Sequence, residues 1–167
     1  NETPWGTMKF LHHSNISSTP RVQSIQNAYN LLNRTFEIGG SEIAHREDVG
    51  LLAYSPLAQG YLTGKYQNGK LPKGSRKELF NRLQRYEGSY AEEAIEDYLS
   101  IAKKYSIDPS QLANQFVTTR PFVTSNIIGA TSMEQLKLAV TSIEVDLTEE
   151  IENEIEKAFQ KHGNVAS

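Results

Sequence analysis

Apolar positions along the chain recur at helical spacing in some stretches and run continuously in others, and the two patterns predict different elements. After Pro4, the residues Trp5, Met8, Phe10 and Leu11 fall roughly at helical intervals until Ser17-Ser-Thr-Pro20 breaks the pattern, so a helix opens the chain. Residues 22–26 are short and β-compatible, and residues 36–46 are moderately amphipathic. The run at 49–54 is apolar throughout and lacks the alternation of a half-exposed strand, which predicts a strand buried on both faces. From 90 to 105 the apolar residues Ala94, Ile95, Tyr98, Leu99, Ala102 and Tyr105 form one helical stripe opposite Glu and Lys.

Asp108-Pro-Ser-Gln111 supplies an N-cap, a proline at the first helical position and a glutamine at N3, starting a helix through about Thr119. A third β-like run at 123–128 ends in Gly129-Ala-Thr-Ser132, where Thr131-x-x-Glu134 has the spacing of a capping box for a helix through Ile143. The last helix, 148 to about 162, is expected to bury Ile151, Ile155, Ala158 and Phe159 and to expose its glutamates. Strands alternating with helices indicate parallel β-α units, yet only three strands are legible. Three apolar parallel strands with two open edges are an aggregation template, so the missing strands are expected from elsewhere.

Composition narrows the class. A length of 167 residues suits one domain, and the net charge of −3 gives no field drawing the protein to nucleic acid or anionic lipid. With no cysteine there is no disulfide, thiolate metal site or thiol nucleophile, and the cytoplasm is the expected address. No apolar run reaches bilayer length and no charged n-region precedes an apolar h-region, so a soluble protein is expected. The opening Asn1-Glu-Thr-Pro-Trp-Gly6, a turn running at once into a helix, reads as a cut through the middle of something larger.

The candidate chemistry lies at the strand ends, where ligands bind in parallel α/β folds. All three strands end in polar or glycine residues: Gln26, then Tyr54-Ser55, then Gly129 to Thr131. After Tyr54, Ser55 precedes a proline and is expected extended; small residues with Gly60 and Gly64 follow, and backbone N–H groups there can turn toward an anion, with Lys65 adding charge. Gly129-Ala-Thr-Ser at a helix N-terminus offers N–H donors and the positive end of a dipole. Each feature also has an ordinary reading, as turn chemistry or as a cap. Two such sites on neighbouring strand ends point to a dinucleotide.

Lys65, Lys70, Lys73, Arg76, Lys77, Arg82 and Arg85, interleaved with Tyr66, Phe80 and Tyr86, make a basic aromatic segment. Single-stranded nucleic acid is one reading of it, disfavoured by a pI near 5.8; a lid over a phosphorylated cofactor, with Arg76 on a phosphate, and a solvated loop are the others. His12 and His13 point about 100° apart on a helix and do not chelate from one face; His45 and His162 read as surface or core residues, and no metal site is expected. No Ser-His-Asp spacing stands out.

Four motifs in order, Asn1-Glu-Thr-Pro-Trp-Gly6, Ile25-Gln-Asn-Ala-Tyr-Asn-Leu-Leu-Asn-Arg34, Leu52 to Tyr66 and Ile128-Gly-Ala-Thr-Ser-Met-Glu-Gln-Leu136, resemble the aldo-keto reductase superfamily. The likeness is to its bacterial Tas-type reductases, with potassium-channel β-subunits as cousins, and it runs to about Phe159. It implies a (β/α)8 TIM barrel that binds NADPH, with this chain, 1–167, as the C-terminal half beginning after the fifth strand. It implies that Asn1 and Gln26 hold the nicotinamide carboxamide, that Tyr54 stacks on the ring, and that Ser55, Leu57, Ala58 and Gly60 line the pyrophosphate. Lys65 and Arg76 then meet phosphates, Arg76 the 2′-phosphate, and Gly129, Thr131 and Gln135 form the adenosine-phosphate site. Leu138 and Ala139 stand where the family commonly has Glu-Asn against adenine.

The family's catalytic Asp, Tyr, Lys and His have no match in this chain, so no catalytic residue is assigned. Carbonyl reduction of an aldehyde or ketone is therefore expected of the complete barrel and not of this chain alone. The other expectations are a non-catalytic NADPH-binding or channel-β-like module, and an inactive half barrel that completes its sheet by self-association.

Overall fold

The computed structural model describes residues 1–80 and 84–166. Its elements in chain order are α1 (Pro4–Ile16), β1 (Ser24–Ala28), α2 (Gly40–Glu47), β2 (Gly50–Tyr54), α3 (Arg76–Phe80), α4 (Ala91–Lys104), α5 (Pro109–Thr118), β3 (Val123–Ile127), α6 (Met133–Thr141) and α7 (Glu149–His162). Short 3-10 turns lie between them, the longest at Ala58–Thr63. The three strands form one parallel sheet in the order β1-β2-β3. Ala28, Tyr54 and Ile127 lie side by side in register, so all three carboxyl ends open on one edge of the sheet. Thr124 is an extra residue between the partners of Leu51 and Leu52, and this bulge brings Ser125 opposite Leu52.

Local chemistry accounts for the helix starts. Thr3 accepts from the Gly6 amide at 3.0 Å with Pro4 at the first helical position, and Asp108 accepts from Ser110 at 2.8 Å with Pro109 in the same role. The amphipathic stretch at 36–46 is divided: a 3-10 turn at Thr35–Glu37 leads through Gly39, at φ +92°, into α2. At β1 the expected span of 22–26 is shifted, because pairing begins where Ser24 meets Gly50 and runs to Ala28. Gln26 therefore sits mid-strand instead of at the strand end.

The core lies between one face of the sheet and α4, α5 and α7, and includes Tyr29, Leu32, Leu51, Ile95, Leu112, Phe116 and Ile155. Phe116, fully buried, contributes about 3 kcal/mol by area alone. Its ring stacks on Tyr29 at 5.8 Å, and Phe122 meets Tyr29 edge-on at 5.2 Å. Arg34 ties α7 to this core: Nε reaches Glu37 at 2.8 Å, Nη1 reaches Glu156 at 2.9 Å, and the guanidinium lies 4.0 Å from the Phe159 ring centroid. Phe159 is thus half-buried under a cation and not a core residue.

The expectation that β2 is buried on both faces is corrected. β2 is buried on one face only: Leu51 and Ala53 have no exposure, while Gly50, Leu52 and Tyr54 are half-buried, because among the described residues no full layer covers the other side of the sheet. In α1 the apolar stripe faces outward, with Trp5 71%, Met8 40% and Phe10 56% exposed and Leu11 buried. That helix packs near α2 at the β1 end of the sheet, and among the described residues its apolar stripe stays exposed. The same holds at the other end, where Met133, Leu136, Val140 and Ile143 on and after α6 are exposed. Among the described residues no helix is long and apolar enough to cross a membrane.

Candidate functional site

β2 delivers Tyr54 to the carboxyl edge, half-buried, and the chain then folds back through a tight turn. Ser55 is not extended; it sits at φ +58°, followed by Ala58 at +47°, Gln59 at +57° and Gly60 at +100°. The cause is a grip on its carbonyl from two sides: the Ala58 amide donates to it at 2.9 Å, and so does the Asn30 side chain. Left-handed conformations at non-glycine residues are disfavoured by about 1–3 kcal/mol each and persist only where surroundings enforce them. Here Pro56 and Ala58 are buried, and the Leu57 carbonyl accepts from Gly60 at 2.8 Å. Leu57 itself is half-buried.

Lys65 lies directly over this turn. A β-carbon built on Gly60 stands 2.6 Å from Lys65 Cε and 2.8 Å from its ammonium, so a side chain at that position would push the cation from the place it holds over the turn. The segment that carries Arg76 is latched beside it. Lys77 pairs with Glu87 at 2.8 Å, Tyr61 donates its hydroxyl to the same carboxylate, and the Lys77 amide donates to the Tyr66 hydroxyl at 3.3 Å. The bonds from Lys77 and Tyr61 hold the Glu87 carboxyl below its ordinary range, and Glu87 in turn holds Lys77 above its own. Burial, and then the bond to Glu87, pushes Tyr61 up to about 12. Arg76 opens α3 and is exposed; among the described residues no hydrogen bond or ion pair joins it to the turn. Arg82 lies outside the described residues.

On the neighbouring strand end, Gly129 is exposed, with open space where a β-carbon would stand. Gln135 Oε1 accepts from the Thr131 amide at 2.9 Å and from its hydroxyl at 3.1 Å, while Ser132 accepts from the Gln135 amide at 3.2 Å. The cap of α6 is therefore Ser132 with Gln135, one residue later than the expected Thr131 and Glu134, because the helix begins at Met133. Thr131 and Gln135 are thereby held together.

The sheet gathers most of the expected residues. Tyr54 and Ile127 are paired, so the turn at 55–60 and the turn at 129–132 leave adjacent strands, about 4.8 Å apart at their roots. Gln26 pairs with Leu52 and is exposed on the face that carries Tyr54. Asn1 is exposed, and its neighbour Glu2 is pinned to β1 by reciprocal backbone bonds to the Asn27 side chain at 3.1 and 2.9 Å. A partly enclosed cavity of about 230 Å³ lies elsewhere, between α1, β1 and α2, lined by Thr7, Ile25, Phe36 and Ile43 among others. The strand-end site is an open surface in this chain.

Asn30 escapes the sequence reading, and Tyr86 and Arg85 enter it only as members of the basic aromatic segment. Asn30 has no exposure and bridges Ser55 to the Tyr86 hydroxyl. Tyr86 is 1% exposed, and burial raises its hydroxyl above the ordinary range. The Tyr54 hydroxyl, with Tyr86 behind it, keeps the neighbouring Arg85 guanidinium above its own. The available signal is an asparagine set among apolar residues directly after a strand, in the motif Ala28-Tyr-Asn-Leu-Leu-Asn33.

Against known proteins, the model of the aldo/keto reductase family matches residues 2–160. Protein tas of Escherichia coli is 46% identical over 160 residues, covering 96% of this chain and 46% of that protein. An aldo-keto reductase of Babesia bovis is 37% identical, covering 96% of this chain and 59% of the other. A putative voltage-gated potassium channel subunit beta of Schizosaccharomyces pombe is 35% identical over 140 residues, covering 79% and 40%. The chain spans about half the length of the curated relatives it matches.

Proposed function

Since the chain belongs to the aldo/keto reductase family, we propose that it forms the C-terminal half of a (β/α)8 barrel and carries the NADPH-holding side of a carbonyl reductase. The observation that supports this reading is the left-handed turn at 55–60 with Lys65 over Gly60, one strand away from Gly129 and Thr131. The fit is chemical as well as spatial, since a cation over glycine backbone suits a phosphate.

In this reading Asn1 and Gln26 hold the nicotinamide carboxamide and Tyr54 packs its ring against the nicotinamide. Ser55, Leu57, Ala58 and Gly60 line the pyrophosphate, with Lys65 and Arg76 as countercharges. Gly129, Thr131 and Gln135 bind the adenosine phosphate. When bound, NADPH supplies a hydride to the carbonyl carbon of an aldehyde or ketone. No residue of this chain is assigned to give the proton, so the isolated chain binds cofactor without turnover and reduction requires the complementary barrel half.

The experiment is a titration with NADPH and NADP⁺, followed by assay with a generic aldehyde. Binding without turnover supports the reading. No binding to the folded chain sinks it. Turnover sinks the assignment of the proton donor to the other half. The exposed stripes of α1 and α6 and the two open strand edges favour a second reading, self-association, which sedimentation over a range of concentrations tests.

A further inference from the structure

Asn30 follows β1 by two residues and is wholly enclosed. Its two amide protons go to the Ser55 carbonyl at 2.9 Å and the Tyr86 hydroxyl at 3.0 Å, and its oxygen accepts from the Leu32 amide at 2.9 Å. Its backbone is fixed as well, in a two-way bridge with Asn33 at 3.0 Å each way. One side chain thus joins three segments: the exit of β1, the turn after β2, and the stretch that holds Arg85, Tyr86 and Glu87. The bond to Ser55 lands on the first left-handed residue of that turn, where the chain leaves the sheet. The Ala58 amide, the other donor to this carbonyl, belongs to the turn itself and moves with it. Asn30 grips from outside.

We propose that Asn30 and Tyr86 form a buried strut that sets the plane of the Ser55 carbonyl and so positions the turn at 55–60 for its ligand. The ligand named is NADPH, and that part rests on the function proposed above; the strut itself does not. Asn30 touches no cofactor atom in this scheme and is a positioning residue. Tyr86 makes the turn sensitive to the segment next to it. Its ring lies 6.2 Å from that of Tyr61, which is latched through Glu87 to Lys77, the neighbour of Arg76. The strut and the latch therefore tie both the pyrophosphate turn and the Arg76 segment to the rigid exit of β1.

The test uses the full chain with Tyr86→Phe, which removes one hydroxyl and keeps the ring, and Asn30→Asp, which keeps size and the acceptor for Leu32 but sets an oxygen against Ser55. NADPH affinity is measured by fluorescence titration, and limited trypsin digestion reads cleavage after Lys70, Lys73, Arg76 and Lys77. Y86F is expected to weaken NADPH about fivefold, the worth of one hydrogen bond, and to quicken that cleavage. N30D is expected to weaken NADPH about tenfold or more. A role in stability alone lowers the melting temperature while folded molecules keep wild-type affinity and cleavage rate, and that result overturns the strut. If N30D does not fold, Y86F decides. If the wild-type chain binds no NADPH, the cofactor reading fails, and the digestion alone decides the strut: a wild-type rate in Y86F overturns it, a faster rate supports it.

Discussion

Replacing Gly60 by alanine separates backbone strain from the loss of a cation, because the two effects fall on different measurements. Gly60 sits at φ +100°, where an L-residue is strained, and its new methyl would stand 2.6 Å from Lys65 Cε. The strain destabilises the fold by about 1–2 kcal/mol, which lowers the melting temperature of a chain of this size by roughly 2–8 °C. The methyl also drives the Lys65 ammonium off the turn. On the proposed reading, in which Lys65 meets a phosphate of NADPH, losing that one charge-assisted contact weakens binding by about 1.5–3 kcal/mol, roughly 10- to 150-fold. Lys65→Met, which keeps an unbranched stem and removes the charge, should reproduce the affinity loss with no more than about 1 kcal/mol of destabilisation. The assay is a thermal melt beside an NADPH titration for each variant. If G60A binds NADPH like the wild type while its melt falls, Lys65 does not act at this turn and the reasoning is refuted.

Arg34→Met removes the bidentate pairing to Glu37 and the bond to Glu156, and should destabilise by about 3 kcal/mol, seen as a drop of roughly 6–12 °C in melting temperature; a drop under about 2 °C contradicts a structural ion cluster there. Bonds from Lys161 and then His162 hold the Asp97 carboxyl below its ordinary value of 3.8, so its contribution is present above that value and is lost as the pH falls through the lowered one. Asp97→Asn should therefore flatten the loss of stability with acid below about pH 4, and an unchanged acid limb in denaturant melts argues against the pairing. Ser132→Ala should lower stability by about 1 kcal/mol and Glu134→Ala by much less, since Ser132 and not Thr131 caps α6; equal effects would return the cap to Thr131 and Glu134.

What the sequence determined by itself is whatever short-range chemistry settles. Pro4 and Asp108-Pro109 start helices where expected, because a cap and a proline at the first position act within one turn of chain. The apolar run before Tyr54 is a strand, and the motifs at its end identify the family. The tertiary structure decided what depends on partners distant in sequence. Ser55 is left-handed because Asn30, 25 residues earlier, holds its carbonyl, and no local preference of a residue before proline announces that. β1 begins at Ser24 because Gly50 lies opposite, and Gln26 falls mid-strand for the same reason. Trp5, Met8 and Phe10 show a helical stripe whatever they face; the stripe records that the helix has an apolar side, and only the fold decides whether anything in this chain covers it. Lys65 is a basic residue near glycines in the sequence, and only the fold lays its ammonium over the turn, in the space that Gly60 leaves without a side chain.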